Sequence, residues 1–445
     1  MSAQKVLFSF FLLLSFTVLR AQQGFHLVAG SGDKAVVPFR LVNNMIVVDG
    51  QLNGRELTFL VDTGIKKTIL FNVGVSDSLL LKNVEDLQLR GLGEGDVLSA
   101  VRSSGNLFRC KNIVNPSLSL FMIKDNLFDL SAKMGIDVHG IIGGDLFEDF
   151  VVRINYSSQK LVLHDPDEFN YPKCNSCESF PLDFYGGKPF IDVYVTNHAG
   201  TEHKVKLLID SGAGDSLWLF PYSDPNIFIP ERNFDDYLGK GLSGDIFGKR
   251  AKLDEMRIGS FFIYDANVSY PDSTSMVTMH TNKERNGTLG AGILKRFHVI
   301  MDYPGRKITL KKNSKYFNEP FLYNKSGIEI MYGGEMLVQE KRARFNPVDP
   351  QSGQSGQSIT DIIYSYGLTY KPSYKISVIR NGSPAHLAGL RVGDIILEVN
   401  GKAAYSMKME EVNHIFSQKA DKRIRLLVDR KGQHLNYEFL LKSML

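Results

Sequence analysis

The sequence predicts a mainly β protein, in which two related β lobes form a pseudo-two-fold pair and an α+β domain follows. An internal repeat, hairpin signals in both copies of that repeat, and a change of composition near residue 315 lead to this fold class. A chain of 445 residues is too long for a single hydrophobic core. We therefore expect lobes at 22–168 and 169–314 and a separate domain at 315–445.

The repeat is clearest in the segment near the end of each lobe. Residues 140–150 (GIIGGDLFEDF) align without gaps on residues 287–297 (GTLGAGILKRF), which places Gly143 opposite Gly290. The offset is 147 residues between these glycines and 148 residues between Asp62 and Asp210. A nearly constant offset over this distance indicates an internal duplication.

In each copy, two alternating apolar stretches flank a polar turn. The turn is Asn53-Gly54 in the first lobe and lies between Asn197 and Gly200 in the second. Asn-Gly between alternating stretches is a strong hairpin signal. We expect each lobe to consist mostly of strands, with one short helix after Gly143 or Gly290.

Both predicted hairpins end in an acidic triplet, Asp62-Thr63-Gly64 and Asp210-Ser211-Gly212. A carboxylate directly after a buried strand is costly, because desolvation disfavours its charged form. Two such carboxylates offset that cost if they face each other, share a proton and hold a water molecule. This pattern predicts peptide-bond hydrolysis by an aspartic dyad.

These triplets and the two later apolar–apolar–glycine motifs resemble the aspartic peptidase superfamily, which includes the pepsins and retropepsins. In the last domain, residues 382–385 (GSPA) and 388–394 (AGLRVGD) resemble a bacterial-type PDZ domain. The combination resembles bacterial exported aspartyl proteases with a C-terminal PDZ domain. The resemblance implies two acid-protease-like lobes, an α+β PDZ domain and endopeptidase activity.

The resemblance also implies roles for the residues of both triplets. One aspartate would activate water while the other polarises the peptide carbonyl, so no metal, cofactor or covalent intermediate is required. Small residues would shape the loops around the pair. The implied catalytic residues are Asp62 and Asp210, and the implied supporting residues are Thr63, Gly64, Ser211, Gly212, Gly143 and Gly290.

Glycine-rich stretches in both lobes resemble the flap hairpins that close over a bound peptide. They contain Gly91 and Gly93 in the first lobe and Gly241 and Gly244 in the second. Glycine in a flap permits opening and exclusion of water on closure. The alternative is an ordinary glycine-containing turn.

Two positions depart from the family pattern. Lys66 follows the first triplet, where small or polar residues are commoner, and Thr288 occupies an apolar position of the second glycine motif. An outward Lys66 favours an enzyme, whereas a Lys66 beside the dyad would hold both carboxylates ionised. The alternative function is a catalytically inactive peptide-binding or adaptor protein that keeps both folds.

For the PDZ-like domain, the predicted function is capture of an extended peptide or a peptide C-terminus. Ser326, Gly327 and Ile328 are the candidate peptide-binding loop. A flexible insertion is expected near 342–368, and it includes the low-complexity stretch 347–358. The alternative is a domain that only packs against the lobes.

The N-terminus predicts export. Residues 1–21 combine a lysine with a short apolar run, which is typical of a signal peptide cleaved near Ala21. The mature protein would be periplasmic or extracellular; the alternative is an uncleaved N-terminal anchor. No other segment is apolar and long enough to be expected to span a membrane.

Charge and cysteine content limit the partners and the compartment. Without Lys5 and Arg20 of the signal segment, the balance of 52 basic and 48 acidic residues leaves a net charge of +2, which gives no basis for a nucleic-acid partner. The expected partner is a polypeptide substrate, and the lobes would form an intrachain pseudo-dimer in a monomer. Cys174 and Cys177 have metal or redox spacing, but a local disulfide is the favoured interpretation, with Cys110 left buried.

Overall fold

The computed structural model describes residues 24–71, 79–89, 98–124, 130–196, 200–221, 223–241, 244–274, 284–346 and 361–445. The predicted signal segment, Gly91, Gly93 and the low-complexity stretch 347–358 lie outside these residues. The described part is mainly β, as predicted, with four sheets.

The first part of the chain forms twelve strands and two short helices within the described residues. They are β1 (His26–Leu27), β2 (Lys34–Pro38), β3 (Arg40–Val42), β4 (Met45–Leu52), β5 (Arg55–Val61), β6 (Thr68–Leu70), β7 (Glu85–Leu89), β8 (Leu98–Cys110), β9 (Ile113–Ile123), α1 (Leu130–Met134), β10 (Gly140–Ile142), α2 (Asp145–Glu148), β11 (Val151–Asn155) and β12 (Lys160–His164).

The middle part forms eleven strands and one short helix within the described residues. They are β13 (Cys177–Pro181), β14 (Asp183–Tyr185), β15 (Lys188–Thr196), β16 (Glu202–Asp210), β17 (Leu217–Leu219), β18 (Asn233–Gly241), β19 (Gly244–Ile258), β20 (Phe261–Pro271), β21 (Gly287–Gly290), α3 (Ala291–Leu294), β22 (Phe297–Asp302) and β23 (Lys307–Lys312). Helices α2 and α3 follow Gly143 and Gly290, as the repeat predicts.

The two parts share the same strand order in their main sheets. The order β4-β5-β10-β6-β9 in the first corresponds to β15-β16-β21-β17-β20 in the second. In both, the strand before the acidic triplet pairs with a parallel neighbour: Val61 lies opposite Ile142, and Asp210 lies opposite Gly290. The predicted hairpins β4–β5 and β15–β16 are both present.

A third sheet joins the two parts. Its order is β13-β23-β22-β11-β12-β2, and the antiparallel pair β11–β22 brings Val151 opposite Asp302. The main hydrophobic cluster contains buried residues from both parts, among them Phe147 and Phe297. The bond between Cys174 and Cys177 is the predicted disulfide, and Cys110 is buried.

The last part contains a six-stranded sheet and, in addition, two helices. The elements are β24 (Ile328–Asn346), β25 (Asp361–Ile379), α4 (Pro384–Leu387), β26 (Ile395–Val399), β27 (Lys402–Ala403), a 3-10 turn (Ala404–Ser406), α5 (Met409–Phe416), β28 (Arg423–Arg430) and β29 (Gln433–Leu440). They enclose a separate hydrophobic cluster that extends from Ile328 to Leu441. Among the described residues, no helix is long and apolar enough to cross a membrane.

The described residues of the predicted insertion near 342–368 lie in two strands. Residues 342–346 and 361–368 belong to β24 and β25, which pair as a long ribbon. Alternation explains the strand, because Tyr364, Tyr366, Leu368 and Tyr370 are exposed on one face of β25.

Candidate functional site: two aspartates between the halves

The two acidic triplets meet at the contact between the halves of the repeat. A Cβ atom added to Gly64 would lie 2.6 Å from Cγ of Asp210, and one added to Gly212 would overlap the Asp62 carboxyl group. Asp210 is close enough to Asp62 to raise the pKa of the Asp62 carboxyl group. Glycine is required at both positions because each faces the aspartate of the opposite half.

Four buried hydrogen bonds fasten the two loops together. The Thr63 amide donates to Oγ of Ser211 (3.1 Å), and the Ser211 amide donates to Oγ1 of Thr63 (3.0 Å). The Thr63 hydroxyl donates to the Ile209 carbonyl (2.8 Å), and the Ser211 hydroxyl donates to the Val61 carbonyl (2.9 Å). Both hydroxyls act as donor and acceptor, and we call these four bonds the Thr63–Ser211 brace. The brace fixes the spacing of the two aspartates.

Backbone amides bind one oxygen of each aspartate. The Gly64 amide donates to Oδ1 of Asp62 (2.6 Å), and the amides of Gly212 and Ala213 donate to Oδ1 of Asp210 (3.0 Å each). These bonds orient both carboxyl groups. Among the described residues, no backbone donor occupies the second oxygen of either group, so these oxygens can exchange protons.

The pair is arranged to hold a proton. Burial raises the pKa of Asp62 well above the ordinary value of 3.8, and the charge of Asp210 and the hydrogen bond between the two groups raise it further. The Gly64 amide and the Lys188 ammonium oppose this rise. The raising effects prevail, so Asp62 keeps its proton beyond the pH at which exposed aspartates ionise.

The two later glycines lie directly behind the loops. A Cβ atom on Gly143 would lie 2.9 Å from backbone atoms of Lys66 and Lys67, and one on Gly290 would clash with carbonyl oxygens of the second loop. The amide of Gly290 donates to the Ser216 carbonyl (2.9 Å). Both glycines permit a close approach of backbone to backbone behind the aspartates.

Lys66 points away from the pair. Its side chain is exposed, and its methylene groups pass over Gly187, where an added Cβ atom would lie 2.9 Å from Cδ. The cations that act on the pair are Lys188 and Arg285, and no sequence motif marks either of them. Lys188 could have been found from the predicted hairpin, because continuing its strand pairing two residues beyond Phe190 and Leu208 places Lys188 opposite Asp210.

Thr288 has a polar contact that accounts for its departure from the apolar pattern. Its Oγ1 accepts a hydrogen bond of 2.6 Å from Nη2 of Arg285, and Nε of the same arginine donates to the Gly287 carbonyl (3.1 Å). The guanidinium carbon lies 5.2 Å from the ring centre of Phe220. These contacts fix Arg285 at the edge of the candidate site.

The second-half hairpin predicted as a flap is β18–β19, in which Gly241 lies opposite Gly244. Its Tyr237 and Asp245 contact Lys133 of helix α1 through a hydrogen bond and an ion pair of 3.6 Å. The first-half counterpart is β7–β8, and the predicted glycines at its turn lie outside the described residues.

Ion pairs connect the second loop to the last part of the chain. Asp215, three residues after Gly212, accepts from Arg250 (3.2 Å), and Arg250 also donates to Asp236 (2.9 Å). Asp236 in turn pairs with Arg380 at 3.2 Å. We call Asp215, Arg250, Asp236 and Arg380 the ion-pair chain. It links the aspartate site to strand β25 and to the turn before α4.

The candidate peptide-binding loop adjoins helix α5. Asn324 Oδ1 accepts from the amides of Ser326 (3.0 Å) and Gly327 (3.2 Å), and Oγ of Ser326 accepts from the Ile328 amide (3.0 Å). All three amides are thus already bonded within the loop. A peptide carboxylate bound there would have to replace these acceptors.

Part of α5 is covered by the first half of the repeat. Oε1 of Glu410 accepts from the Asn43 amide (2.8 Å), and Cβ of Met409 lies 3.0 Å from the Cβ position of Gly135. Helix α1 packs against β24. This part of the chain therefore does pack on the repeat.

The comparisons with known proteins agree with the expectation for the last part of the chain. No curated protein gave a significant match to the chain. Residues 375–430 match the family model of the PDZ domain. This range includes the GSPA turn, α4, β26, α5 and β28. Residues 375–430 of the chain are therefore a PDZ domain.

Proposed function

We propose that this chain is an exported aspartic endopeptidase, in which Asp62 and Asp210 activate water for peptide-bond hydrolysis. The observation that carries the proposal is that Asp62 and Asp210 each lie against the glycine of the opposite triplet, in loops held together by the Thr63–Ser211 brace. The matching strand orders of the two halves support acid-protease-like lobes. The predicted signal segment is the basis for export.

In the proposed mechanism, the ionised aspartate accepts a proton from a water molecule held between the two carboxyl groups. The protonated aspartate donates to the peptide carbonyl oxygen as the water oxygen bonds to the carbonyl carbon. Proton transfer to the amide nitrogen then breaks the C–N bond. Oriented carboxyl groups reduce the reorganisation needed in the transition state.

The PDZ domain supports a role in binding peptides or partner proteins. In the proposed enzyme it holds part of a substrate or a separate partner. The loop of Ser326, Gly327 and Ile328 is the proposed site for a peptide terminus, once its internal acceptors are displaced.

The second candidate function is a non-catalytic peptide-binding protein with both folds. Lys188 favours it, because an ammonium group near the pair favours the doubly ionised state. The raised pKa of Asp62 favours the enzyme, because burial and Asp210 outweigh this effect.

Cleavage of a peptide library by purified protein without residues 1–21 distinguishes the two functions. Asp62→Asn and Asp210→Asn should each abolish cleavage without loss of folded structure. Asp49→Asn is the matched control, because Asp49 is exposed and pairs with Arg40 on the surface of the first half. Equal cleavage by all four proteins would refute the assignment of the pair, and its absence in all would favour the binding protein.

A further inference from the structure

We propose that Lys188 and Arg285 form an anion-binding subsite beside the aspartate pair, and that the chain therefore prefers peptides with a carboxylate next to the scissile bond. The inference rests on the proposed function for cleavage, and on the subsite alone for binding. A carboxylate can come from a glutamate or aspartate side chain or from the peptide C-terminus.

Strand register places Lys188 across from Asp210. Strands β15 and β16 are antiparallel, and their last registered pair toward the site is Phe190 with Leu208. Lys188 and Asp210 each lie two residues beyond that pair on their own strand. Because side chains two residues apart point to the same face, the two side chains project from the same face of the sheet.

The guanidinium group of Arg285 is held near the same face. It bonds to Thr288, which lies opposite Leu208 on the parallel neighbour strand. The Nη1 atom has no hydrogen-bond partner among the described residues. A planar guanidinium that is fixed on one side and open on the other is well suited to a carboxylate.

Lys188 has no fixed partner among the residues that the structure describes. Within the described part of the chain, its ammonium group makes no hydrogen bond or ion pair, although the side chain is half-buried. Burial and the charge of Arg285 lower its pKa, while the aspartate pair raises it. Burial also lowers the pKa of Arg285 to about 10. Both pKa values are lowered, as expected for partly buried cations that have too little negative charge around them.

The charges at the site do not balance. Among the described residues, the charged groups that act on Lys188 are Arg285 and the two aspartates, and the charged group that acts on Arg285 is Asp210. A pair with one shared proton carries one negative charge, whereas the lysine and arginine carry two positive charges. One positive charge is therefore in excess. A substrate carboxylate would neutralise it, whereas a neutral substrate would leave it in a desolvated site.

The test compares matched quenched fluorescent peptides with Glu or Gln at each position flanking the scissile bond, with free and amidated C-termini. We expect wild-type kcat/KM to be at least about tenfold higher for one Glu peptide than for its Gln partner, since a charge-assisted hydrogen bond is stronger than a neutral one. Lys188→Gln and Arg285→Gln should each reduce that ratio toward one. Lys204→Gln is the control, because Lys204 is exposed and pairs with Asp192 (2.7 Å); it should keep the ratio.

The outcomes separate the subsite from the proposed function. Equal cleavage of Glu and Gln peptides by the wild type would overturn the subsite and leave the peptidase intact. A preference for a free over an amidated C-terminus would identify the terminal carboxylate as the source. If no peptide is cleaved, fluorescence anisotropy measures the binding of labelled Glu and Gln peptides to the wild-type protein. Tighter binding of a Glu peptide than of its Gln partner, lost in Lys188→Gln, would support the subsite. Equal binding of the two peptides would overturn it.

Discussion

The substitution Glu329→Gln should stabilise the protein at alkaline pH and leave its stability almost unchanged in acid. Glu329 lies on β24 where the PDZ region meets the β18–β19 hairpin. Burial, with a smaller effect of Asp236, raises its pKa from 4.5 to about 7, although Arg250, Lys133 and Asn324 act in the opposite direction. The neighbouring cations therefore do not compensate the cost of ionising this carboxyl group.

The size of the effect follows from the shift in pKa. Because the folded-state pKa is raised, the stabilising contribution is complete below pH 4.5 and is lost as the pH rises through about 7. A shift from 4.5 to about 7 corresponds to at most about 3 kcal/mol between the fully protonated and fully ionised states. Glutamine has nearly the same shape as the protonated acid and cannot ionise.

Urea unfolding of the wild type and Glu329→Gln at about pH 4.5, 6, 7 and 8.5, a range that spans the titration of Glu329, measures this difference. Far-UV circular dichroism and the fluorescence of Trp218 report the unfolding. The variant should gain about 2–3 kcal/mol at the highest pH and differ little at the lowest. Glu335→Gln, at an exposed position of the same strand, is the control. A difference that does not vary with pH would refute the reasoning.

Three further predictions concern the aspartate site and the ion-pair chain. Gly212→Ala should abolish cleavage while the protein still folds, because the added methyl group displaces the Asp62 carboxyl group; a normal kcat/KM would contradict the contact. Activity should be lost on the alkaline side only above pH 3.8, because the pKa of Asp62 is raised above that value. Lys188→Gln should move this loss to higher pH, since the Lys188 ammonium lowers the pKa of Asp62. A shift to lower pH would contradict this. Asp236→Ala should lower the free energy of unfolding in urea by about 3 kcal/mol, because two largely buried arginines lose their shared carboxylate. An unchanged unfolding midpoint would contradict their pairing.

Local sequence signals were sufficient for much of the fold. Asn53-Gly54 marks its hairpin because both residues take the left-handed conformation that the tight turn requires. The acidic triplets can be recognised in the sequence because each has a carboxylate directly after an apolar strand. In the PDZ domain, the spacing of Val412, Ile415 and Phe416 gives helix α5 an apolar face, which is a local signal for a helix.

Features formed by distant segments were not predictable in this way. The ion-pair chain joins residues that lie far apart in the sequence, and no local pattern relates Asp236 to Arg380. Lys188 follows two glycines and has no local signal of its own; its importance comes from the register of its strand. The ribbon of β24 and β25 was not predicted from the sequence, because its alternating polar and aromatic residues lie on either side of a low-complexity stretch. Strand pairing there depends on a partner strand, not on composition.

The central sheet has a consequence for how the protein folds. Strands β11 and β22 pair across the two halves, and β2 joins the sheet only after β12 has been made. Contacts between such distant residues make folding slow, because long loops must close before the contacts are gained. Chains ending after residue 168 would expose the edge of β11 that β22 normally covers, and uncovered strand edges promote aggregation. The central sheet is therefore completed only when both halves of the chain have been synthesised.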